Sequence, residues 1–302
     1  MTKVFLDYDQ QALDDAYDQA VYARNRDQVL ARLAHTSELV RRRLGAPERL
    51  AYGESPIQGL DLYRTKAPRA PIVVFVHGGA WRGGLAKDYA FPAEPLVRAG
   101  ANYAALDFHN VTETGGDLLP MAEQVRRGIA WVCANAERLG ADPRRVYVCG
   151  TSSGSHLSGV AATTDWTRYA LPADPVRGYT LVSGMYDLRG PRLSKRSAYV
   201  KFTDAIEDAL SPQRHLERIN APIVLVYGSL ETPEFQRQSR DFADALTRAG
   251  KPCEIIRAEG YNHFEIAETL GNPYGPAGRA LLAQMKLNSG TEPDLVRAPS
   301  PI

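Results

Sequence analysis

The chain has 302 residues, of which 44% are hydrophobic and 24% are charged, an ordinary composition for a globular protein. Its 36 Lys and Arg residues and 35 Asp and Glu residues give a net charge of +1. This balance argues against a dedicated nucleic-acid-binding domain, which would be strongly basic. Cys133, Cys149 and Cys253 form neither a C-x-x-C pair nor a disulfide framework, and we interpret them as reduced core thiols.

Residues 1–48 are expected to form an N-terminal helical segment packed on the core. Residues 10–44 contain no proline and carry apolar residues at helical spacing, which predicts one or two surface helices. These helices either cover the functional site or cap the edge of the sheet. The acidic, polar N-terminus lacks the apolar core of a signal peptide, and the apolar runs are too short to cross a bilayer. We therefore expect a cytoplasmic protein without membrane association.

Residues 49–290 are expected to form one α/β domain. Short apolar runs alternate with helical stretches, as in βαβ units of a mostly parallel sheet with helices on both faces. Strands are predicted at 59–64, 71–76, 101–106, 145–149, 179–183, 222–227 and 252–257, and the first of them alternates like a half-buried strand. Helices are predicted at 89–99, 121–139, 155–163, 234–249 and 276–287. The polar region 188–220 predicts a cap-like insertion, and residues 291–302 predict a flexible tail.

The sharpest motif is the sequence Gly150-Thr-Ser-Ser-Gly154. It follows a predicted strand and precedes a predicted helix, which is the context of the G-x-S-x-G nucleophile elbow. Because this turn is tight, the residues two before and two after the nucleophile must be small. This requirement selects Ser152 rather than Ser153 as the nucleophile. A glycine-rich loop without chemistry is the alternative interpretation.

A second motif, His77-Gly-Gly-Ala-Trp81, follows the strand predicted at 71–76. Loops of the HGG type supply backbone N–H groups to a developing oxyanion, and glycine lets the backbone approach closely. We expect the N–H groups of Gly78, Gly79 and Ser153 to form an oxyanion hole. The alternative is a plain turn at the end of a strand. His77 is expected to be structural.

The base and the acid of such a site must lie after the nucleophile, because the fold orders them as nucleophile, acid and histidine. His263 lies in a loop predicted between the last strand and the last helix, where the base is expected. Glu231 is the first carboxylate after the strand predicted at 222–227, and we expect it to orient the imidazole. Glu234 and Asp187 are the alternative acids.

With these motifs the chain resembles the α/β-hydrolase superfamily on its esterase and lipase side, and within it the arylformamidase (kynurenine formamidase) group. The blocks that carry the resemblance are HGGAW at 77–81, CGTSSGSHL at 149–157, SGMYDL at 183–188, ETPEFQRQS at 231–239 and YNHF at 261–264. The resemblance implies the α/β-hydrolase fold, and it implies the same nucleophile, acid, base and oxyanion-hole residues as named above.

The sequence departs from this group at four single positions and in the stretch 107–112, which lacks the proline usual after that strand. Glu231 stands where aspartate is typical, Thr151 where histidine is usual, Ser153 where alanine is usual and Ala80 where an aromatic residue is common. These departures leave the chemistry of acyl transfer intact, but they lie in or beside the pocket. They therefore leave the substrate open.

We expect a serine hydrolase that cleaves a small carboxylic ester or an N-formyl or N-acyl aryl amide through an acyl-enzyme. Trp81 and Tyr186 are expected either to line an aromatic pocket or to pack in the core. A general carboxylesterase without formamidase activity is the second interpretation, and a non-catalytic binding protein on the same fold is a remote third. The sequence carries no metal-ligand motif and no nucleotide-binding motif, so neither a metal nor a cofactor is implied. The oligomeric state stays open.

Overall fold

The computed structural model describes residues 2–288, whose strands form one eight-stranded sheet. The strands are β1 (Glu48–Ala51), β2 (Gly59–Tyr63), β3 (Ala70–Val76), β4 (Asn102–Leu106), β5 (Ala141–Thr151), β6 (Tyr179–Val182), β7 (Ile223–Gly228) and β8 (Cys253–Ala258). Their order across the sheet is β1-β2-β4-β3-β5-β6-β7-β8. The β1–β2 and β2–β4 pairs are antiparallel and the other neighbours are parallel. The predicted mostly parallel sheet is confirmed.

Helices cover both faces of this sheet. They are α1 (Gln10–Ala16), α2 (Gln19–Tyr22), α3 (Arg26–Leu44), α4 (Ala93–Arg98), α5 (Leu118–Ala134), α6 (Ser153–Ala162), α7 (Arg189–Leu193), α8 (Asp204–Ala209), α9 (Pro233–Arg248), α10 (His263–Glu268) and α11 (Pro276–Gln284). Short 3₁₀ turns lie at Ala86–Tyr89, Trp166–Tyr169, Lys195–Ala198, Pro212–Arg214, Leu216–Arg218 and Thr269–Gly271. None of the helices in residues 2–288 is long and apolar enough to cross a membrane.

The alternation of side chains along β3 builds two cores, one on each face of the sheet. Ile72 and Val74 belong to a core that includes residues of α5, α6 and α9. Val73 and Phe75 belong to a second core with residues of α3, α4 and α11. All seven residues of β3 are buried, as expected for an apolar strand in the middle of a parallel sheet.

The antiparallel edge of the sheet differs from the prediction. β1 was not predicted, because its sequence Glu-Arg-Leu-Ala is polar and largely exposed and lacks the pattern of a strand. The half-buried character predicted for β2 is wrong, since all five of its residues are buried. Its polar residue, Asp61, is covered by Arg49 of β1, whose Nη1 donates to Asp61 Oδ1 at 3.0 Å.

The N-terminal segment forms three helices instead of one or two. Asp9 and Asp18 accept hydrogen bonds from the backbone N–H groups of Ala12 and Ala20, so each aspartate caps the helix that follows it. The chain therefore restarts after Tyr17 rather than continuing as one helix. The limits of the predicted domains stay a prediction, and the tail predicted at 291–302 lies outside the described residues.

The insertion predicted at 188–220 contains α7, α8 and three of the 3₁₀ turns, and it contacts the N-terminal segment. The backbone N–H of Lys195 donates to Asp14 Oδ1 at 2.5 Å, and Arg196 Nη2 donates to the carbonyl oxygen of Tyr17 at 3.1 Å. Lys195 also forms an ion pair with Asp18. Two segments that are far apart in sequence are thus joined beside the functional site.

Candidate active site

The elbow between β5 and α6 places Ser152 in a strained conformation. Its φ of 54° and ψ of −122° lie where residues other than glycine are rarely found. A Cβ at Gly150 would lie 2.4 Å from the carbonyl oxygen of Gly154, and a Cβ at Gly154 would lie 2.1 Å from that of Val76. Both glycines are therefore needed for the turn that presents the Ser152 hydroxyl at the end of the strand.

A continuous chain of hydrogen bonds joins three of the predicted side chains. His263 Nε2 lies 2.9 Å from Ser152 Oγ, and His263 Nδ1 lies 2.9 Å from Glu231 Oε2. With Nδ1–H donating to the carboxylate, Nε2 is left free to accept the hydroxyl proton. Glu231 follows β7, and His263 is the first residue of α10 rather than part of a loop as predicted.

The carboxylate of Glu231 is fixed at both oxygens. Oε1 accepts a hydrogen bond from Ser183 Oγ and another from the backbone N–H of Gly228, both at 2.6 Å. Oε2 is thereby left to face His263, and the whole residue is only 2% exposed. The extra methylene of glutamate is accommodated because Ser183, just after β6, and Gly228, the last residue of β7, hold the far side of the carboxylate. Ser183 lies in the SGMYDL block, but the sequence alone did not assign it a role.

The structure brings neither alternative acid to the imidazole. Glu234 is fully buried, where it accepts a hydrogen bond from the Tyr17 hydroxyl at 2.7 Å and pairs with Arg237 at 2.7 Å. Asp187 pairs with Arg214 at 3.0 Å. Both carboxylates are used in contacts that stabilise the surrounding structure.

The start of α10 is locked by a capping box that the sequence analysis did not single out. The Asn262 side chain accepts from the N–H of Glu265, whose own side chain accepts from the N–H of Asn262. Asn262 also donates to Asn25 at 2.8 Å, just before α3. The signal, an asparagine followed three residues later by a glutamate, is present in the sequence. The capping box and Asn25 together fix the backbone that carries His263.

The predicted oxyanion-hole residues lie beside the nucleophile. A Cβ at Gly78 would lie 2.9 Å from the carbonyl oxygen of Thr151 and 3.1 Å from Ser152 Cβ, so only glycine lets this backbone approach the elbow. Gly79 has a φ of 119°, which favours glycine. Within residues 2–288, no hydrogen bond to another protein group uses the N–H of Gly78, Gly79 or Ser153.

The Ser153 side chain links the two motifs. Its Oγ accepts a hydrogen bond from the backbone N–H of Trp81 at 3.1 Å, and the residue is buried. Ala80 and Trp81 have φ values of 55° and 61°, so the HGGAW loop needs external contacts to hold this conformation. The hydroxyl of Ser153 supplies one of these contacts from the first residue of α6.

Trp81 and Tyr186 do not line the cavity beside Ser152, and the packing alternative fits both residues. Each is fully buried, with 0% of its surface exposed. Trp81 Nε1 donates to His156 Nδ1 at 3.2 Å, and the Tyr186 ring stacks on Phe242 with 4.5 Å between centroids. Sequence proximity to a motif did not reveal which side of the backbone these rings occupy.

His77 is packed rather than available to a substrate. Its Nδ1 lies 2.9 Å from the carbonyl oxygen of Gly78, and its ring stacks on Phe108 with 4.3 Å between centroids. Burial lowers the pKa of His77 below its usual value, which favours the neutral ring. This placement matches the structural role expected for it.

A cavity of about 590 Å³ opens at Ser152 and His263. Its wall includes the two motif loops, the N-terminal segment, the insertion and α10. Besides the motif residues, the lining includes Tyr17, Asp18, Gln19, Ala20, Arg26, Leu30, Leu33, Lys195, Arg196, Ala198 and Tyr199. The N-terminal helices therefore cover the site.

Among the described residues, no group of three or more His, Cys, Asp or Glu side chains is placed to hold a metal ion.

Comparison with known proteins identifies the family. The BD-FAE family model matches residues 60–174. Kynurenine formamidase of Danio rerio is 32% identical over 227 residues, which cover 72% of this chain and 75% of that protein. The chain belongs to the kynurenine formamidase family. Isoprenylcysteine alpha-carbonyl methylesterase of Arabidopsis thaliana is 27% identical and is matched over 56% of its length, with 72% of this chain covered. The chain is thus a serine hydrolase of the esterase and formamidase type.

Solved structures agree on the fold of this family member. A putative thioesterase from Silicibacter sp. superposes with a TM-score of 0.75 at 23% identity, covering 91% of this chain and 98% of that one. An esterase from Thermogutta terrifontis superposes with a TM-score of 0.62 at 21% identity, covering 80% and 91%. Both likenesses show the α/β-hydrolase fold.

Positions 80, 151, 153 and 231, the four single departures that the resemblance implies, fall into two groups. Thr151 and Ala80 line the cavity, so they alter its shape and polarity beside the nucleophile. Ser153 and Glu231 are buried. Ser153 accepts a hydrogen bond from the backbone N–H of Trp81, and Glu231 is hydrogen-bonded to the imidazole of His263. The first pair bears on the substrate, whereas the second pair supports the geometry of the site.

Proposed function

We propose that the protein hydrolyses small carboxylic esters or N-formyl and N-acyl aryl amides, with Ser152 as the nucleophile, His263 as the general base and Glu231 as the orienting acid. The observation that carries this proposal is the chain of two 2.9 Å contacts from Ser152 Oγ through the imidazole to a buried carboxylate. Contacts of this length suit proton transfer from the nucleophile to the base.

In the first step Ser152 Oγ attacks the substrate carbonyl carbon while His263 Nε2 takes the hydroxyl proton. The carboxylate of Glu231 stabilises the imidazolium that forms. Negative charge develops on the carbonyl oxygen, and we assign its stabilisation to the N–H groups of Gly78, Gly79 and Ser153. A single donor of this kind is worth about 10²- to 10³-fold in kcat.

The second step releases the leaving group and regenerates the enzyme. His263 returns its proton to the departing alcohol or aryl amine as the carbon–oxygen or carbon–nitrogen bond breaks. Water, deprotonated by the same imidazole, then attacks the acyl- or formyl-serine ester, and Ser152 recovers its proton.

Formamides and esters remain two candidate substrate classes. The Danio rerio relative is a kynurenine formamidase, which favours a formamide of an aryl amine. The Arabidopsis relative is a methylesterase, which favours a general carboxylesterase. The chemistry of the triad is the same for both, so the cavity and not the nucleophile decides between them.

Turnover of N-formylkynurenine and of a short-chain p-nitrophenyl ester, compared in the wild type and Ser152→Ala, tests the proposal. We expect Ser152→Ala to lose nearly all turnover while folding normally. His263→Ala should lose a similar amount, and His35→Ala, which changes an exposed histidine of α3, should not. Near-normal rates in Ser152→Ala would refute the site.

The ratio of the two rates assigns the substrate class. Formamide turnover well above ester turnover supports the formamidase, and ester turnover alone supports the carboxylesterase. A cytoplasmic location stays a prediction, which fractionation of cells that express the protein would test.

A further inference from the structure

Arg196 is a buried cation without an anionic partner. It is 5% exposed and lies in the insertion, where it also lines the cavity at Ser152. Its Nη1 donates to the Tyr199 hydroxyl at 3.0 Å, whereas its Nε has no hydrogen-bond partner. Within residues 2–288 no carboxylate forms an ion pair with it. The rings of Trp81, Tyr17 and Phe235 lie 5.3, 5.9 and 5.9 Å from its guanidinium carbon and offset part of the cost of burying this charge. The guanidinium still lacks an anion, which a ligand in the cavity would supply.

A second guanidinium lies on the same tyrosine. The Arg82 guanidinium carbon sits 4.3 Å from the centroid of the Tyr199 ring, and Arg82 also lines the cavity. No carboxylate of the described residues pairs with Arg82 either. Two unpaired cations that contact one side chain repel each other, and an anion bound between them would remove that repulsion.

The other charges of the cavity do not supply this anion. Asp18 is the only carboxylate among the described lining residues, and it already forms an ion pair with Lys195. Burial alone would raise the pKa of Asp18, but its hydrogen bonds to Lys195 and to the backbone N–H of Ala20, together with the charges of Lys195 and Arg196, lower it. Asp18 thus senses the charge of Arg196 but forms its ion pair with Lys195. Arg26, the remaining cation of the lining, lies 3.7 Å from its neighbour Asp27. The wall formed by Arg196 and Arg82 thus keeps its positive charge.

We propose that Arg196 and Arg82 bind a carboxylate that the substrate carries away from its scissile bond. The planar guanidinium fork suits a carboxylate, which can accept two parallel hydrogen bonds. This inference rests on the proposed function, since it places a specificity-determining pair in the same cavity as Ser152. It selects anionic esters and amides over neutral ones of the same size.

The test compares 4-acetoxybenzoate with its neutral counterpart 4-acetoxybenzamide. Release of the phenol gives kcat/KM for each, and alkaline hydrolysis of the two esters corrects for their intrinsic reactivity. A charge-assisted hydrogen bond predicts that the wild type prefers the anion by about 10- to 100-fold. Arg196→Met and Arg82→Met should each reduce this preference about tenfold or more, mainly through KM for the anion.

Two further variants separate charge from fold. Arg196→Lys keeps the charge but not the fork, so it should retain part of the preference. Arg240→Met removes an exposed arginine of α9 outside the cavity and should keep the wild-type preference. If Arg196→Met does not fold, Arg82→Met decides, since Arg82 is an exposed residue; an unchanged preference in that variant overturns the proposal.

Failure of this inference can be told apart from failure of the proposed function. Equal corrected kcat/KM values for the two esters in the wild type would overturn the carboxylate site and leave the serine hydrolase intact. Absence of turnover for both esters, together with no labelling of Ser152 by a fluorophosphonate, would overturn both.

Discussion

Replacing Glu231 by glutamine tests whether this carboxylate orients the imidazole, because glutamine keeps the shape of the side chain and removes its charge. Oε1 of Glu231 accepts from Ser183 Oγ and from the backbone N–H of Gly228. Because a backbone N–H can only donate, the carbonyl oxygen of the glutamine must take this position, and its amide group then faces Nδ1 of His263. The amide donates to Nδ1, so the imidazole proton moves to Nε2, which can no longer accept the proton of Ser152.

The expected loss is large and confined to the chemical step. A wrong tautomer of this kind costs about 10⁴-fold in kcat in a Ser-His-Asp triad, which corresponds to about 5 kcal/mol of transition-state stabilisation. Glu231 does not line the cavity, so KM should change little. Initial rates of p-nitrophenyl acetate hydrolysis give both constants, and circular dichroism with thermal unfolding shows whether the variant folds.

Two other variants serve as a control and as a weaker perturbation of the same carboxylate. Asp187→Asn removes a rival carboxylate that pairs with Arg214, and it should keep kcat within about twofold because it does not contact the imidazole. Ser183→Ala removes one of the two donors to Oε1 and should lower kcat by about tenfold. A Glu231→Gln variant that keeps more than about a tenth of wild-type kcat would show that another group orients the base, and the reasoning would be wrong.

Three further predictions concern the elbow, the oxyanion loop and a buried histidine. Ser152→Gly should raise the free energy of unfolding by about 1–2 kcal/mol while abolishing turnover, because glycine relieves the strained φ; equal or lower stability in urea titrations would contradict this. Gly79→Ala should lower kcat at least 10²-fold, since its Cβ would lie 2.1 Å from the carbonyl oxygen of Gly83; wild-type kcat would show that the loop conformation is dispensable. Burial lowers the pKa of His156 from 6.5 to about 4, so the unfolded chain takes up the proton first as pH falls. The free energy of unfolding should then decrease by about 3 kcal/mol between pH 6.5 and 4; His156→Gln should flatten this slope in urea titrations, and an identical slope would refute the assignment.

The positions of the nucleophile, base and acid could be predicted because short motifs and the order of the strands determine them. Ser152 follows from the need for small residues on both sides of a tight turn, and His263 and Glu231 follow from their places after the last two parallel strands. Parallel strands bring their carboxyl ends to one edge of the sheet, so residues far apart in sequence meet there. The structure joins these three side chains at 2.9 Å contacts.

Features that depend on tertiary contacts could not be predicted in the same way. The strand β1 is polar and exposed, and it is defined by its pairing with β2 rather than by its own sequence. Trp81 and Tyr186 flank recognisable motifs, but the side to which each ring turns depends on partners such as His156 and Phe242. Sequence spacing carries no information about those partners.

The wall of the cavity shows why motifs predict the reaction better than the substrate. Tyr17 of the N-terminal segment lines the cavity and accepts a hydrogen bond from Arg196 of the insertion. Its hydroxyl donates to Glu234 at the start of α9. One residue outside the sheet therefore joins both outer segments to the core and positions a guanidinium at the site. The reacting groups lie on strand ends, whose positions the fold fixes. The groups that determine substrate specificity lie on these outer segments. The packing of these segments against each other depends on side-chain contacts that a local sequence pattern does not predict.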